Sequence, residues 1–474
     1  MEKEELLLIH GTEYKEMTKE ILYAAGLEAQ IGARDKKIGI KPNLVAPSEA
    51  FLGATTHPEI VAGIIEYLQE AGFQNIIMLE GSWVGDKTRE SMKVCGYEKL
   101  SEMYKVPFKD MQADPGELTE CGGMELEICR EAKSLDFLIN VPVMKGHCQT
   151  KITCALKNMK GLLPNREKRH FHAMGLHKPI AHLAVGLHQD FILVDNICGD
   201  WDFEDGGNPV EMNRLIAGRD PVLVDAFVCH EMGYGVEEVP YIRMAEALGA
   251  GCADWTQARI RELNPPVSQV VKTGRRKVVE VADAVEEVES CSACYGYLIP
   301  ALDRLKEEGI LEKLNTKICI GQGYRGKTGT LGIGSCTRGF ASCLQGCPPT
   351  DEEIYQFLKK CIQEKEERMM KLLYEGLGKI PGVQVYGSFA ECKGPVMSLN
   401  FQGLKASDAA YILENGYEIT VRAGLHCSPL IHEAMGTKNS GTVRVSVSWF
   451  TKEEEILAFL EAAGQIAVSL RGAD

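Results

Sequence analysis

Short apolar runs alternate with helical patterns through residues 1–285, and this alternation is the strongest constraint on the fold. The runs include "KIGIKPNLV", "NIIMLEGS", "DFLINVPVMKG", "FILVDNICG" and "DPVLVDAFVC". Between the first two lies "HPEIVAGIIEYLQEAG", whose apolar residues recur at helical spacing before Gly72. A strand–helix–strand order predicts an α/β fold with a largely parallel sheet.

Polar residues follow several of these apolar runs, where the strands are expected to end. In open α/β sheets, ligands bind beyond the carboxyl ends of the strands, so a cleft is predicted at that edge. The residues that mark it are Lys41, Asn43, Glu80, Ser82, Lys145, His147, Asp195 and Asp200.

An unusual concentration of positive charge lies between residues 145 and 160 of this acidic chain. Cations near strand ends can hold the carboxylate or phosphate of a small substrate. The alternative is a solvated helix face with lysines three residues apart. We expect substrate binding by Lys41, Asn43, Lys145, His147, Lys151 and Lys157, with Lys160 adding charge.

Bulk composition limits the partners. The net charge of −15 argues against a general nucleic-acid surface. No segment approaches 18 consecutive apolar residues, so no membrane span is expected. We therefore expect a cytoplasmic protein that binds a small anionic substrate, and a homodimer remains open.

The 17 cysteines become non-randomly spaced only between residues 291 and 347. In a reducing compartment, such cysteines are more often metal ligands or nucleophiles than disulfides. Two thiolates separated by two residues can bind one metal centre, and a later group completes four ligands. Zinc is an alternative, but the glycine-rich approach and the Cys-Pro ending favour an iron–sulfur cluster. The predicted ligands are Cys291, Cys294, Cys336 and Cys347, with Cys343 as a spare.

The remainder of the chain has a different pattern. A long helix is predicted from Thr350, which caps an acidic first turn. Beyond residue 380 strands and helices alternate again, which indicates a separate α+β domain. The predicted division is an α/β domain over 1–285, a cysteine-rich segment over 286–360 and a C-terminal domain over 361–474.

Two family resemblances sharpen these expectations, and the first covers about three quarters of the chain. "KPNLV", "TTHPEIV", "NVPVMKGHCQTKITCALKNMKGLLP", "GRDPVLVDAFV" and the "CSAC … GIGSCT … GCPP" tail resemble the family named domain of unknown function 362. "GCPP" also looks like a ligand segment beside a [4Fe-4S] cluster in small subunits of hydrogenases and respiratory complex I. The resemblance implies a fold related to lactate racemase and, as in many members, an iron–sulfur centre, but no particular reaction. The family's usual ferredoxin-like insert with two four-cysteine clusters is missing here, so at most one [4Fe-4S] cluster is expected.

The second resemblance covers residues 361–470. "RAGLHCSPL" followed by "MGTKNSGTVRVSVSWFTKEEEI" is similar to the small C-terminal domain of class V aminotransferases of the cysteine desulfurase type, a fold-type I pyridoxal-phosphate domain. By that resemblance, Cys427 receives sulfur as a persulfide and Arg444 binds the substrate carboxylate. We also expect His426 and the loop backbone to support a thiolate at Cys427, since the nucleophile must be a thiolate.

The cofactor-bearing part of such an enzyme has no counterpart in this sequence. A self-sufficient desulfurase needs a domain that supplies a lysine, a ring aspartate and a phosphate cup to pyridoxal phosphate. The nearest lysine motif, "GLHKP" with Lys178, falls in the first family's region and is taken as a coincidence. Pyridoxal phosphate is therefore not expected in this chain alone, and neither is desulfurase activity without a partner.

Three functions remain open at this level. In the first, a partner cysteine desulfurase charges Cys427, which relays sulfur to a small anion in the α/β cleft, as in a sulfur transferase. In the second, the chain is a [4Fe-4S] oxidoreductase supplied by an electron donor, and its tail only packs or dimerises. In the third, the tail is a remnant of a pyridoxal-phosphate enzyme without the cofactor lysine.

Overall fold

The structure, a computed structural model, describes residues 1–266, 277–314, 316–391, 394–448 and 451–471. The chain divides into two compact units. Unit 1 comprises Met1–Ala282, Glu287–Ile299 and Gly321–Gly323, and unit 2 comprises Asp283–Glu286, Pro300–Ile320 and Tyr324–Asp474. The boundaries of the predicted three-part division remain a prediction, and the cysteine-rich segment contributes residues to both units.

Unit 1 is built on an eight-stranded sheet. Five of its neighbouring strand pairs are parallel, and only the two pairs made by Pro209–Gly218 are antiparallel. In spatial order the strands are Arg259–Glu262, Glu5–His10, Pro209–Gly218, Phe191–Asp200, Phe137–Val141, Ile38–Pro42, Ile76–Glu80 and Phe108–Asp110. The predicted α/β class with a largely parallel sheet is confirmed.

The apolar runs form these strands because both faces of the sheet are covered. In strand Glu5–His10, Leu6 and Leu8 pack in one hydrophobic cluster, whereas Leu7 and Ile9 pack in the other. Alternate residues of a strand point to opposite faces, so a strand covered on both sides must be apolar throughout.

Helices and short ribbons surround the sheet of unit 1. The predicted helix that follows the first cleft strand spans Pro58–Glu70 and begins with proline, which suits the first helical position. The helices are Tyr14–Ala25, Leu27–Ile31, Pro58–Glu70, Thr88–Val94, Tyr97–Tyr104, Arg130–Lys133, Ala155–Asn158, Asn165–Met174, His177–Gly186, Pro221–Glu231, Pro240–Ala247 and Lys277–Ala282. Two-stranded ribbons pair Gly116–Glu120 with Glu125–Cys129, and Lys145–His147 with Lys151–Thr153.

Unit 2 contains a second α+β core. Its long helix, Asp351–Leu377, is capped by Thr350. The Thr350 hydroxyl accepts from the backbone N–H of Glu353, and the Glu353 carboxylate accepts from the backbone N–H of Thr350. This capping box matches the predicted helix start. The helix packs with an antiparallel sheet and with two further helices, Ala406–Tyr417 and Glu453–Arg471. In spatial order, the strands of this sheet are Val383–Tyr386, Val396–Phe401, Thr442–Ser446 and Arg422–Gly424.

The cysteine- and glycine-rich part of unit 2 forms a small parallel sheet. Strands Ile318–Ile320, Leu331–Ile333 and Ser342–Leu344 lie side by side and carry or flank several of the cysteines. The helix Ser292–Glu307 precedes them in sequence. Among the described residues, no helix combines the length and apolarity that a membrane span requires.

Candidate functional site

The predicted cleft lies where three parallel strands of unit 1 end. Lys41 lies near the end of strand Ile38–Pro42, Glu80 ends strand Ile76–Glu80, and Lys145 follows strand Phe137–Val141 by four residues. Because these strands are parallel neighbours, their carboxyl ends share one edge of the sheet. The polar residues after each apolar run are therefore brought to a common place.

Two of the predicted substrate-binding residues make only internal contacts here. The Lys41 ammonium donates to Glu80 Oε2 at 2.6 Å, and to Pro42 O and Asn158 Oδ1 at 2.9 Å each. An ammonium has three hydrogens, so these partners use all of them. The Asn43 side-chain oxygen accepts from the backbone N–H of Val45. Both residues shape the loops below the cleft.

Four lysines and two histidines lie close to Lys41, and we call them the cationic group after the lysines: Lys145, His147, Lys157, Lys160, Lys168 and His172. Lys145 donates to the carbonyls of Ala54 and Glu204 at 2.6 and 2.7 Å, and Lys157 donates to Thr153 Oγ1 at 2.9 Å. Burial and the nearby Lys157 ammonium lower the pKa of Lys145 to about 7, while burial lowers the pKa of Lys157 to about 8.

The remaining members of the cationic group extend this positive surface. Lys168 donates to the carbonyls of Gly81 and Ser82, and burial lowers its pKa to about 8. Lys160 is half-buried, and its Nζ has no hydrogen-bond acceptor within the described ranges, although it lies 6.0 Å from the centre of the Phe171 ring. Burial, followed by the charges of Lys157 and Lys168, lowers the pKa of Lys160 well below the usual value. Each ammonium disfavours the charged form of its neighbours, and a bound anion would offset this repulsion. The site therefore favours an anionic ligand.

Three groups of different chemistry meet at the edge of the cationic group. Glu204 Oε1 accepts from the Cys148 thiol at 3.1 Å and lies 3.4 Å from His147 Nε2, while Oε2 accepts from the Cys148 backbone N–H at 3.0 Å. One ligand atom from each of these residues lies within 4.8 Å of the others, a spacing compatible with a metal ion.

The hydrogen bonds around His147 argue against a metal ion at that position. His147 Nδ1 accepts from the backbone N–H groups of Gln149 and Thr150, at 3.1 and 3.2 Å. That arrangement leaves the ring proton on Nε2, whereas a histidine that binds a metal normally donates its other ring N–H. Burial and then the charges of Lys157 and Lys160 lower the pKa of His147 well below its usual value, so the ring is neutral.

Lys151, also predicted to bind substrate, has other partners. Its ammonium forms an ion pair with Glu238 at 2.5 Å and lies over the Tyr234 ring, and its side chain is 40% exposed. The structure therefore brings together Lys145, His147 and Lys157 and directs Lys151 towards a surface carboxylate.

The predicted cluster cysteines are divided between the two units. In unit 1, Cys291 lies just before helix Ser292–Glu307 and Cys294 in its first turn, where the Cys294 backbone N–H donates to Cys291 O at 3.0 Å. In unit 2, Cys336 lies in the turn Ser335–Thr337, Cys343 in strand Ser342–Leu344, and Cys347 is exposed. Gln345 Nε2 donates to Cys343 Sγ at 3.1 Å. Hydrogen bonds to sulfur suit a thiolate ligand of iron, and Cys343, the spare ligand, receives one.

The tail thiol is presented on a loop of unit 2. Cys427 is exposed, and both His426 and Cys427 have positive φ angles, 50° and 60°. Side chains other than glycine rarely adopt this conformation, which costs about 1–3 kcal/mol and is concentrated at functional sites. His426 Nε2 donates to Thr442 O at 3.0 Å, and its buried Nδ1 has no acceptor or donor in the described part of the chain.

Arg444 lies beside this loop in the neighbouring strand. It is paired in register with Arg422, so two guanidinium-bearing residues lie opposite each other. Its buried Nε has no hydrogen-bond partner within the described residues. Two cations and an unsatisfied donor near an exposed thiol are suited to an anionic group.

The residues that sequence reasoning missed are Cys148 and Glu204. Cys148 follows His147 directly, and this His-Cys pair in "KGHCQTK" is the signal that could have drawn attention to it. Glu204 is 56 residues away in the loop after strand Phe191–Asp200, so no local pattern connects it with the cleft.

The fold and its cleft define a two-unit α/β protein with a buried cationic site at the carboxyl edge of a largely parallel sheet. Residues 38–230 match the family model described as a domain of unknown function (DUF362). Residues 354–459 match the model described as aminotransferase class-V. Both family resemblances seen in the sequence are confirmed, and each match covers less than half of the chain.

Individual relatives follow the same division. A thylakoid-associated protein of Synechocystis sp. is 24% identical over 220 residues, which are 45% of this chain and 68% of that protein. A probable cysteine desulfurase of Halobacterium salinarum is 32% identical over 104 residues, 22% of this chain and 24% of the relative. The chain thus spans about a quarter of the length of the cysteine desulfurases it matches.

Solved structures add little to this picture. The lactate racemase apoprotein from Thermoanaerobacterium thermosaccharolyticum aligns with a TM-score of 0.31 and 17% identity, covering 46% of this chain and 55% of that one. The apo cysteine desulfurase from Thermococcus onnurineus NA1 aligns with a TM-score of 0.23 and 13% identity, covering 98% of this chain and 80% of that one. TM-scores of this size do not define a shared fold.

Proposed function

We propose that this protein is an enzyme of sulfur metabolism in which Cys427 receives sulfur from the persulfide of a partner cysteine desulfurase and relays it. The acceptor is a small anion bound by the cationic group. The observation that carries the proposal is the exposure of Cys427 on a loop of positive φ, beside His426 and Arg444. The similarity of this region to probable cysteine desulfurases supports it.

The transfer itself is an exchange between thiolate and persulfide. The Cys427 thiolate attacks the outer sulfur of the partner's persulfide, a new S–S bond forms, and the partner cysteine leaves as a thiolate. His426 Nδ1 is buried and has no partner among the described residues, so it takes the thiol proton once the loop brings it to Cys427 Sγ. Burial lowers the pKa of His426, which keeps the ring neutral and able to act as that base.

The partner is needed because sulfur must first be released from cysteine. That step relies on pyridoxal phosphate held by a large domain, and the matched region corresponds to about a quarter of the desulfurases. Lys178, the nearest sequence match to the cofactor lysine, is exposed on helix His177–Gly186. Adding pyridoxal phosphate to the purified chain should accordingly give no internal-aldimine absorbance.

The decisive experiment loads the protein with sulfur. The chain is incubated with a cysteine desulfurase, pyridoxal phosphate and radiolabelled cysteine, and persulfide is located by peptide mass spectrometry. Label is expected on the Cys427 peptide and absent in Cys427→Ser, while Cys361→Ser, a half-buried thiol in the same unit, keeps it. Equal labelling of Cys427→Ser would refute the proposal.

An iron–sulfur cluster is part of the same proposal. Cys291, Cys294, Cys336 and Cys347 would hold it, with Cys343 as a spare, and a [4Fe-4S] cluster would supply one-electron chemistry or a site for sulfide. Protein purified without oxygen should contain about four irons and four acid-labile sulfides per chain. Cys291→Ala and Cys347→Ala should lose them, whereas Cys319→Ala should not.

The second candidate is a [4Fe-4S] oxidoreductase whose tail only packs or dimerises. It is favoured by the cationic group, which lies entirely in unit 1 and is complete without any residue of the tail. If Cys427→Ser retains the iron and every activity of the protein, this candidate replaces sulfur relay.

A further inference from the structure

The Cys148 thiol has a base at hydrogen-bond distance. Both carboxylate oxygens of Glu204 bind Cys148, one through Sγ at 3.1 Å and the other through the backbone N–H at 3.0 Å. This two-point contact fixes the carboxylate against the thiol. A thiol that donates to a positioned carboxylate has the geometry of a nucleophile and its general base.

Two lysines, the neutral ring of His147 and the Asp205 carboxylate surround this pair. Lys145, which donates to the Glu204 carbonyl, and the imidazole of His147 lie against the same loop. Burial and the Glu204 carboxylate raise the pKa of the Cys148 thiol well above its usual value, so the thiol is protonated until a base removes the proton, while the charge of Lys157 acts in the opposite direction. Nearby cations stabilise a thiolate once the proton has left. They also attract an anion to the same place.

Access distinguishes Cys148 from most other cysteines of unit 1. Cys95, Cys121, Cys129, Cys154, Cys198 and Cys229 are buried, whereas Cys148 is partly exposed. Lys160, with no hydrogen-bond acceptor for Nζ within the described ranges, is also only half-buried. The site therefore combines a reachable thiol, a base and a lysine whose ammonium has no hydrogen-bond acceptor among the described residues.

We propose that Cys148 is a nucleophile for small organic anions that carry an electrophilic centre, with Glu204 as its general base and Lys157 and Lys160 as the anion-binding residues. Sγ forms a bond to the electrophilic atom, the leaving group departs with the electron pair of the broken bond, and the thiol proton passes to Glu204. The proposal concerns unit 1 alone and holds whether or not Cys427 carries sulfur.

Two alkylating reagents that differ in charge test this directly. Iodoacetate and iodoacetamide both transfer a carbon to a thiolate and release iodide, but only iodoacetate is an anion. The native protein is treated with each at pH 7, and labelling rates are read peptide by peptide. Cys252, a partly exposed thiol elsewhere in unit 1, serves as the internal control for intrinsic reactivity.

Relative to Cys252, Cys148 is expected to prefer iodoacetate over iodoacetamide by about tenfold, the smallest rate gain typical of electrostatic steering. Sulfate should suppress this preference by competing for the lysines. A preference for iodoacetamide, or a Cys148 that stays unlabelled while Cys252 reacts, would overturn the proposal.

Variants separate the roles of the base and the lysines. Glu204→Gln should slow iodoacetamide at Cys148, since it removes the base. Iodoacetate should be slowed less, because the loss of the carboxylate charge also strengthens the attraction of Lys157 and Lys160 for an anion. Lys160→Met should reduce only the preference for iodoacetate. Lys151 pairs with Glu238, so Lys151→Met should change neither the labelling rates of Cys148 nor the preference for iodoacetate. Circular dichroism verifies that each variant is folded, and a preference unchanged by Lys160→Met would contradict the assigned anion site.

Discussion

His57 Nδ1 lies 2.8 Å from Asp195 Oδ2, although the two residues are 138 positions apart in the sequence. The same carboxylate oxygen accepts from the His57 backbone N–H at 2.8 Å, and Oδ1 accepts from the Ile197 backbone N–H at 3.1 Å. His57 precedes helix Pro58–Glu70 and Asp195 lies in strand Phe191–Asp200. This buried ion pair therefore ties the start of a helix to the middle of the sheet.

The His57–Asp195 pair predicts an unusual titration. Burial opposes the charge, but the Asp195 carboxylate and its hydrogen bond outweigh burial and raise the pKa of His57 to about 10. We expect the ring protons of His57, followed by NMR, to show no titration between about pH 5 and 8, where an ordinary histidine changes charge. Asp195→Asn should bring the titration back into or below that range, and a wild-type midpoint near 6.5 would contradict this assignment.

The same shift has a consequence for stability. Because the folded-state pKa of His57 is raised, its contribution is complete below the unfolded pKa, near 6.5, and is lost as pH rises through about 10. The free energy of unfolding should therefore fall over this window in the wild type, and less steeply in Asp195→Asn. Urea denaturation followed by tryptophan fluorescence measures it, since Trp83, Trp201 and Trp255, three of the four tryptophans, lie in unit 1.

The cationic group predicts stabilisation by anions. Sulfate or phosphate should raise the melting temperature of the wild type, because a ligand that binds only the folded state stabilises it. Lys157→Met and Lys160→Met should weaken this effect. Lys151→Met is the matched control, since Lys151 lies in the same segment but pairs with Glu238, and an equal loss in that variant would argue for non-specific salt effects.

Anion binding should also depend on pH. Burial lowers the pKa of Lys145 to about 7 and that of Lys157 to about 8. Both lysines lose their charge as pH rises through these values, so sulfate affinity should fall between pH 7 and 9. Isothermal titration calorimetry measures the affinity, and an affinity that rises with pH would refute the assignment.

Local signals in the sequence predicted the parts of the fold that depend on neighbouring residues. The capped start at Thr350 and the helix Pro58–Glu70 follow from residues within one turn of each helix end. The placement of Lys145 and Lys157 near the strand ends follows from the order of strands, since parallel neighbours share an edge.

Long-range partners were beyond the reach of that reasoning. Lys41 lies in the predicted cleft, but Glu80, 39 residues away, takes up its charge. Glu204 reaches Cys148 from a loop 56 residues distant, and Lys151 turns to Glu238, 87 residues away. A sequence places a charged residue near a strand end, but the three-dimensional packing decides whether its charge is already neutralised.

The Lys41–Glu80 pair predicts a large loss of stability when one partner is removed. The side chains are 0% and 3% exposed, so Lys41→Met leaves Glu80 as an uncompensated buried charge. Breaking a buried pair in this way typically costs about 3–5 kcal/mol. Urea denaturation should show a loss of that size, whereas the double variant Lys41→Met/Glu80→Gln should regain part of it. A double variant no more stable than Lys41→Met would mean that the charge of Glu80 is not the cause.

Gly161 offers an independent test of the same ion pair, because a side chain at this position would occupy its space. A Cβ on Gly161 would overlap Glu80 Oε1 and would lie 2.8 Å from Lys41 Nζ. Gly161→Ala should therefore destabilise unit 1 by displacing the Glu80 carboxylate. Substitutions that disturb one interaction are not additive, with coupling energies of about 0.5–3 kcal/mol. In a double-mutant cycle with Lys41→Met, measured by urea denaturation, the combined loss should be smaller than the sum of the single losses. Additive losses would mean that Gly161 acts through other neighbours than Lys41 and Glu80.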